Sequence, residues 1–121
     1  MTRILIVDDS PTETHVLKSM LEKHGYQVSV AQTGEEGIKL AQQHTPDVIL
    51  MDIVMPGVNG FQATRKLSKD PATSAIPIVM ISTKDQDTDR IWAKRQGAKD
   101  YITKPVTESE LLSKVKAALE G

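Results

Sequence analysis

The chain has 121 residues, which is enough for one domain with a buried core but not for two. It has no cysteine, which excludes disulfide scaffolds, thiolate metal sites and cysteine nucleophiles and fits a reducing compartment. The 15 Lys and Arg residues nearly balance the 16 Asp and Glu residues, and the net charge of −1 argues against binding to nucleic acid or to anionic membranes. No apolar run is long enough for a signal peptide or a membrane span, so we expect one cytoplasmic domain without membrane insertion.

Short apolar runs alternate with amphipathic segments along the whole chain. Three runs rich in branched residues, at 4–7, 48–51 and 78–81, are typical of parallel strands that are covered on both faces. The segment at 27–30 alternates polar and apolar residues, and the one at 101–102 is short. We therefore predict that these two segments form the edge strands of the same sheet.

Helices are predicted in the intervals between the strands. Ser10, Thr33 and Thr107 each stand three residues before a Glu, which is the capping-box spacing at a helix start. Two further helices are predicted at about 60–69 and 86–96. The βαβαβαβαβα order predicts a doubly wound (βα)5 three-layer α/β sandwich of the flavodoxin-like type, with the parallel strand order 2-1-3-4-5.

Polar residues follow the predicted strands at their carboxyl ends, where ligands bind in such a sheet. Asp8 and Asp9 follow the first strand, Asp52 follows the third, Ser82 the fourth, and Lys104 the fifth. Three carboxylates at close range repel one another unless a cation neutralises them or some of them are protonated. Oxygen donors without His or Cys favour a hard cation such as Mg²⁺, and an Asp beside Mg²⁺ and Lys can attack a phosphoryl group. These residues indicate the formation of an aspartyl phosphate.

The same residues, in this order and strand context, resemble the receiver domain of two-component response regulators, and the resemblance covers residues 1–121. The residues that carry it are Asp8-Asp9, Asp52, Ser82, Tyr101 and Lys104-Pro105. The resemblance implies that Asp52 is the phosphoacceptor. It also implies that Mg²⁺ is bound by Asp9, by Asp52 and by the backbone carbonyl of Val54, with Asp8 assisting, usually through water.

The resemblance also assigns roles to residues on the last two strands. Lys104 would contact the phosphoryl group, and a cis peptide bond would precede Pro105. Ser82 would be the switch hydroxyl, which hydrogen-bonds to the phosphoryl group. Tyr101 would be the aromatic residue that changes rotamer with Ser82.

Four segments, at 7–13, 51–57, 59–65 and 92–97, look more narrowly like the stand-alone receivers of type IV pilus (twitching) chemosensory systems. That branch implies a CheA-like histidine kinase as phosphodonor. Two residues depart from the receivers of flagellar motility: Val54 replaces a polar residue, and Thr83 replaces a smaller one. Both flank the route of water or phosphodonor to Asp52, so the resemblance sets neither the lifetime of the phosphate nor the choice of donor.

The chain ends one helix after Lys104, and we expect a single receiver domain without an output domain. The signal would then pass to a protein target through the face formed by residues 86–120, or the domain would act as a phosphate sink. Trp92 lies on this face and is the only tryptophan. We expect a monomer and a signalling phosphoacceptor, not an enzyme acting on other substrates.

Two other functions are compatible with this fold. A phosphatase working through its own aspartyl phosphate typically has a second Asp two residues after the nucleophile, where this chain has Val54. A flavodoxin-like cofactor binder needs hydroxyls, Gly and backbone N–H groups after the first strand, where Asp8 and Asp9 would repel a phosphate. Among the remaining charged residues, we expect solvated surface positions for the histidines and for a basic cluster: His15, His24, His44, Arg90, Lys94, Arg95 and Lys99. The alternative for the basic cluster is contact with an acidic partner.

Overall fold

The computed structural model describes all 121 residues, as five strands that alternate with five helices. The strands are β1 (Arg3–Val7), β2 (Gln27–Ala31), β3 (Val48–Asp52), β4 (Ile78–Ser82) and β5 (Asp100–Thr103). The helices are α1 (Pro11–Glu22), α2 (Gly34–His44), α3 (Gly60–Lys69), α4 (Asp87–Arg95) and α5 (Glu108–Leu119). None of these helices combines the length and the apolar character that crossing a bilayer requires.

The sheet has the order β2-β1-β3-β4-β5, and every neighbouring pair is parallel, as predicted. Every residue of β3 and of β4 is buried, whereas β2 at the edge alternates between exposed and partly buried positions before it ends at the buried Ala31. Because all five strands run the same way, their carboxyl ends share one rim of the sheet. In the register of β3 and β4, Asp52 lies opposite Ile81, so Ser82 is only one residue farther along.

Two hydrophobic clusters lie on opposite faces of the sheet, which explains why the central strands are apolar throughout. Leu5 and Val7 of β1 belong to one cluster, together with apolar residues of α2, α3 and α4. Ile4 and Ile6 of the same strand belong to the other cluster, together with apolar residues of α1 and α5. The accessible surface is 6421 Å², close to the roughly 6,400 Å² expected for a folded chain of this mass.

The predicted helix caps at Ser10, Thr33 and Thr107 are confirmed, because each hydroxyl accepts a hydrogen bond from the backbone N–H three residues on. The reciprocal contact of a capping box is absent at the start of α1. There the backbone N–H of Ser10 donates to Asp8 Oδ1 at 2.9 Å, and the Glu13 carboxylate turns to another partner. A complete capping box occurs instead at Asn59 and Gln62, and it was not predicted.

Gly60 fixes the loop that leads from β3 into α3. A Cβ atom at this position would lie 2.1 Å from the carbonyl oxygen of Asp52 and 2.8 Å from Cα of Ile53, so only glycine fits. The Gly60 N–H donates to the carbonyl of Ile53 at 2.9 Å. The start of α3 is therefore held against the backbone of Asp52.

Candidate functional site

Three carboxylates meet at the rim of the sheet. Asp8 and Asp9 follow β1, Asp52 ends β3, and one carboxylate oxygen from each lies within 4.8 Å of the others. Asp8 and Asp52 are only 2% and 7% exposed, while Asp9 is exposed to solvent. A group of buried and exposed carboxylates with no nitrogen or sulfur donor fits a hard divalent cation. The structure thus brings together the three side chains that were predicted to bind Mg²⁺.

Val54, the fourth predicted ligand, lies in the loop after β3. Its side chain is 61% exposed, so it forms no part of the core. Position 54 offers no carboxylate near Asp52, where a phosphatase of this type typically has its second acid. The role of the Val54 carbonyl stays a prediction.

Lys104 follows β5 and reaches into the carboxylate cluster. Its side chain is 13% exposed, and its Nζ atom lies 3.4 Å from Asp52 Oδ1 and 3.5 Å from Asp8 Oδ2. The peptide bond between Lys104 and Pro105 is cis, as the resemblance implied. The backbone N–H of Lys104 donates to the carbonyl of Ser82 at 2.8 Å, which ties this loop to the end of β4.

Glu13 also belongs to the site and was not predicted there. Its Oε2 atom accepts a hydrogen bond of 2.5 Å from Lys104 Nζ, the shortest contact that this ammonium makes. The capping-box spacing between Ser10 and Glu13 predicted only a role for Glu13 in the cap of α1. A local pattern does not reveal a partner that lies 91 residues away.

The protonation of the cluster follows from its burial. The pKa of Asp52 is raised to about 6, mainly by burial and also by the charge of Asp8, against the opposing effect of the Lys104 ammonium. Burial likewise raises the pKa of Asp8. Burial acts to lower the pKa of Lys104, but the hydrogen bond to Glu13 and the charges of Asp52 and Asp8 outweigh it, so the pKa is raised. The site therefore holds excess negative charge close to an ammonium, an arrangement that a divalent cation would stabilise.

Ser82 and Tyr101 are linked through one residue of the loop between β4 and α4. Ser82 is buried, and its Oγ atom accepts a hydrogen bond of 3.2 Å from the N–H of Lys84. The Tyr101 hydroxyl donates to the carbonyl of the same Lys84 at 2.7 Å, and the ring is buried. Ser82 and Tyr101, the two residues of the predicted switch, thus both form hydrogen bonds with the backbone of Lys84.

Arg90 does not lie on a solvated face as predicted. Its guanidinium donates to Thr103 Oγ1 at 2.7 Å and lies over the ring of Tyr101, 5.0 Å from the ring centroid. An arginine in a run of charged helix residues has no local signal for this contact, because the contact depends on the packing of α4 against β5. Lys94, Arg95 and Lys99 are exposed and form no ion pair, in agreement with the expectation.

The histidines lie away from the carboxylate cluster and are exposed. His15 and His44 fit the expected solvated positions. His24 differs, because its Nε2 atom lies 3.3 Å from Glu108 Oε2, and Lys23 approaches the same carboxylate at 2.8 Å. This contact joins the end of α1 to the start of α5.

Comparison with known proteins decides the family. Residues 4–116 match the response regulator receiver domain. The chain is a response regulator receiver domain. The receiver domain is 64% identical, over all 121 residues of both chains, to Protein PilH of Pseudomonas aeruginosa. The resemblance to that branch of receivers is confirmed at the level of sequence.

Solved structures agree with this assignment. The receiver domain superposes on chemotaxis protein CheY4 of Vibrio cholerae with a TM-score of 0.93 and 29% identity, covering 98% of this chain and 99% of that one. It also superposes on the receiver domain of a sensor histidine kinase from Pseudomonas aeruginosa, with a TM-score of 0.92 and 28% identity, covering 99% and 98% of the two chains. That neighbour has a magnesium ion coordinated in its active-site cleft. The predicted flavodoxin-like fold is confirmed.

Proposed function

We propose that this receiver domain accepts a phosphoryl group from a histidine kinase on Asp52, in a reaction that requires Mg²⁺. The observation that carries the proposal is the position of Asp52. Its carboxylate is nearly buried, shares the rim with Asp8 and Asp9, and has the Lys104 ammonium at 3.4 Å. Membership of the receiver family supports the same assignment.

Each residue of the site has a separate role in the proposed phosphoryl transfer. An Asp52 carboxylate oxygen attacks phosphorus in line, a P–O bond forms, and the P–N bond to the kinase histidine breaks. The Lys104 ammonium balances the negative charge on the oxygens of the transferred group. Asp9, Asp52 and the Val54 carbonyl, with Asp8 assisting, would hold Mg²⁺, which supplies further charge neutralisation when bound.

The domain is proposed to work as a signalling phosphoacceptor and not as a phosphatase for other substrates. Hydrolysis of the acyl phosphate needs a group that activates water, and position 54 carries an exposed valine. We therefore expect slow loss of the phosphate, which suits a signal that must persist. We also propose a cytoplasmic location, because a histidine kinase that uses ATP meets its receiver there, and a CheA-like kinase is the proposed donor.

The contacts of Lys84 support a route for the signal. When the Ser82 hydroxyl turns to the phosphoryl group, it gives up the hydrogen bond from the Lys84 N–H, and the loop that also holds the Tyr101 hydroxyl is free to move. We propose that Tyr101 then changes rotamer and alters the face formed by residues 86–120. Trp92 and Ile91 on α4 are about half exposed and offer a surface for a protein target. Alternatively, the domain acts as a phosphate sink in a chemosensory or pilus motility pathway. In both forms of the proposal the protein works as a single-domain monomer and binds no nucleic acid.

Phosphorylation with acetyl phosphate and Mg²⁺, followed by borohydride trapping and mass spectrometry, tests the acceptor. We expect the adduct at Asp52 only and none in Asp52→Ala. Label on a Ser, Thr or His residue would contradict the proposal.

The switch is tested with beryllofluoride and Mg²⁺, which mimic the phosphoryl group. We expect a change in the fluorescence of Trp92 that is weakened in Ser82→Ala, although the adduct still forms in that variant. An equal fluorescence response in Ser82→Ala and wild type would remove Ser82 from the switch.

A further inference from the structure

The ammonium of Lys104 is bonded chiefly to Glu13 and not to the proposed phosphoacceptor. The distance from Nζ to Glu13 Oε2 is 2.5 Å, against 3.4 Å to Asp52 and 3.5 Å to Asp8. Strong charge-assisted hydrogen bonds between nitrogen and oxygen are short, about 2.7–2.9 Å, and they weaken steeply with length. The two longer contacts are mainly electrostatic, so Glu13 determines where the ammonium lies.

The backbone of Glu13 stays in place if the Lys104 ammonium turns to a group on Asp52. The residue sits in the first turn of α1, where its N–H donates to the Ser10 hydroxyl at 3.3 Å. The positive end of the helix dipole favours a carboxylate in this turn. The backbone of Lys104 is equally fixed by its hydrogen bond to the Ser82 carbonyl. Any rearrangement is therefore confined to the side chains of Lys104 and Glu13.

We propose that Glu13 is a positioning residue that competes with the phosphoryl group on Asp52 for the ammonium of Lys104. Formation of the adduct draws the Lys104 ammonium toward a phosphoryl oxygen, which lengthens or breaks its short bond to Glu13. Glu13 thereby lowers the affinity of the site for the phosphoryl group and for its mimics. This inference rests on the proposed function of Asp52, and its test separates the two.

The first measurement needs neither metal nor phosphate. In metal-free protein labelled with ¹³C and ¹⁵N in lysine, the ε-CH₂ signal of Lys104, assigned with Lys104→Arg, should move in Glu13→Gln. Glu36→Gln is the matched control, because Glu36 occupies the same position in α2 and its N–H is bound by Thr33 as that of Glu13 is by Ser10. An unmoved Lys104 signal in Glu13→Gln would refute the ion pair and with it the proposal.

The second measurement is the apparent affinity for beryllofluoride in the presence of Mg²⁺. Because Glu13 is 44% exposed, solvent screening limits the expected gain in Glu13→Gln to about three- to fivefold. The gain should fall to less than about 1.5-fold when the same substitution is made in Lys104→Ala, since the competition requires the ammonium. An equal gain in both backgrounds would mean that Glu13 acts only through its charge, and the proposal would be wrong.

The outcomes distinguish this inference from the proposed function. If wild type forms no adduct with acetyl phosphate or beryllofluoride, both the proposed function of Asp52 and the proposed competition are refuted. If wild type forms the adduct but Glu13→Gln behaves like wild type and like Glu36→Gln, only the competition is refuted. Thermal melts of both variants would check that the folds are intact.

Discussion

Replacement of Asp52 by Asn should stabilise the metal-free protein. The carboxylate is 7% exposed, and its pKa is about 6 in the folded state against an ordinary value of 3.8. Burial and the neighbouring charge of Asp8 thus disfavour the ionised form more than Lys104 favours it. Asn keeps nearly the same shape and carries no charge.

The size of the effect follows from the pKa difference. A rise of roughly two units corresponds to about 3 kcal/mol of destabilisation at pH 7. Solvent at the rim screens part of this energy, and we expect Asp52→Asn to gain about 1–2 kcal/mol. For a chain of this size, the gain corresponds to an increase in Tm of roughly 3–8 °C.

The pH dependence has a definite sign. Between pH 3.8 and about 6 the folded state holds the Asp52 proton while the unfolded state has lost it. The stability of wild type relative to Asp52→Asn should therefore fall as the pH rises through this window and level off above it. Near pH 4 the two proteins should differ little. Binding of Mg²⁺ requires the ionised carboxylate, so the Mg²⁺ affinity of wild type should weaken as the pH falls below 6.

Urea denaturation in EDTA at several pH values, repeated with Mg²⁺, measures these effects. Added Mg²⁺ should raise the free energy of unfolding of wild type and raise that of Asp52→Asn much less. Asp85→Asn, which removes a carboxylate from an exposed loop, controls for net charge. A metal-free Asp52→Asn protein less stable than wild type, or a difference that does not change between pH 4 and pH 7.5, would refute the account of the carboxylate cluster.

Two further substitutions test the surroundings of the site. Gly60→Ala should cost at least about 2 kcal/mol in urea denaturation, because its Cβ atom would collide with the Asp52 carbonyl; an unchanged midpoint would contradict this. Arg90→Ala should cost about 1 kcal/mol and increase the mobility of the Tyr101 ring in NMR relaxation, because it removes the hydrogen bond to Thr103 and the cation–π contact. A ring with unchanged mobility would show that Arg90 does not restrain it.

The strand order and the rim of the sheet could be predicted from the sequence because each depends on a local pattern. A parallel strand covered on both faces is apolar at every residue, and β1, β3 and β4 have this pattern with polar residues at their ends. Once the strands are parallel, chain connectivity brings Asp8, Asp9 and Asp52 to the same rim. That they share one rim follows from topology, whereas the approach of their oxygen atoms to within 4.8 Å also depends on the side-chain orientations.

The partners of long charged side chains depended on the tertiary structure. The sequence pattern placed the Glu13 carboxylate in the cap of α1 and Arg90 on a solvated helix face. In the structure both side chains bind other partners. A long side chain reaches several neighbours of similar energy, and the choice among them depends on burial and on competing charges. The Glu13 carboxylate binds the Lys104 ammonium, because the folded sheet holds this ammonium among carboxylates in the loop after β5. The sequence by itself determined which groups reach the rim, and only the tertiary structure decided which of them bind one another, because contacts between distant residues exist only after the backbone has brought them together.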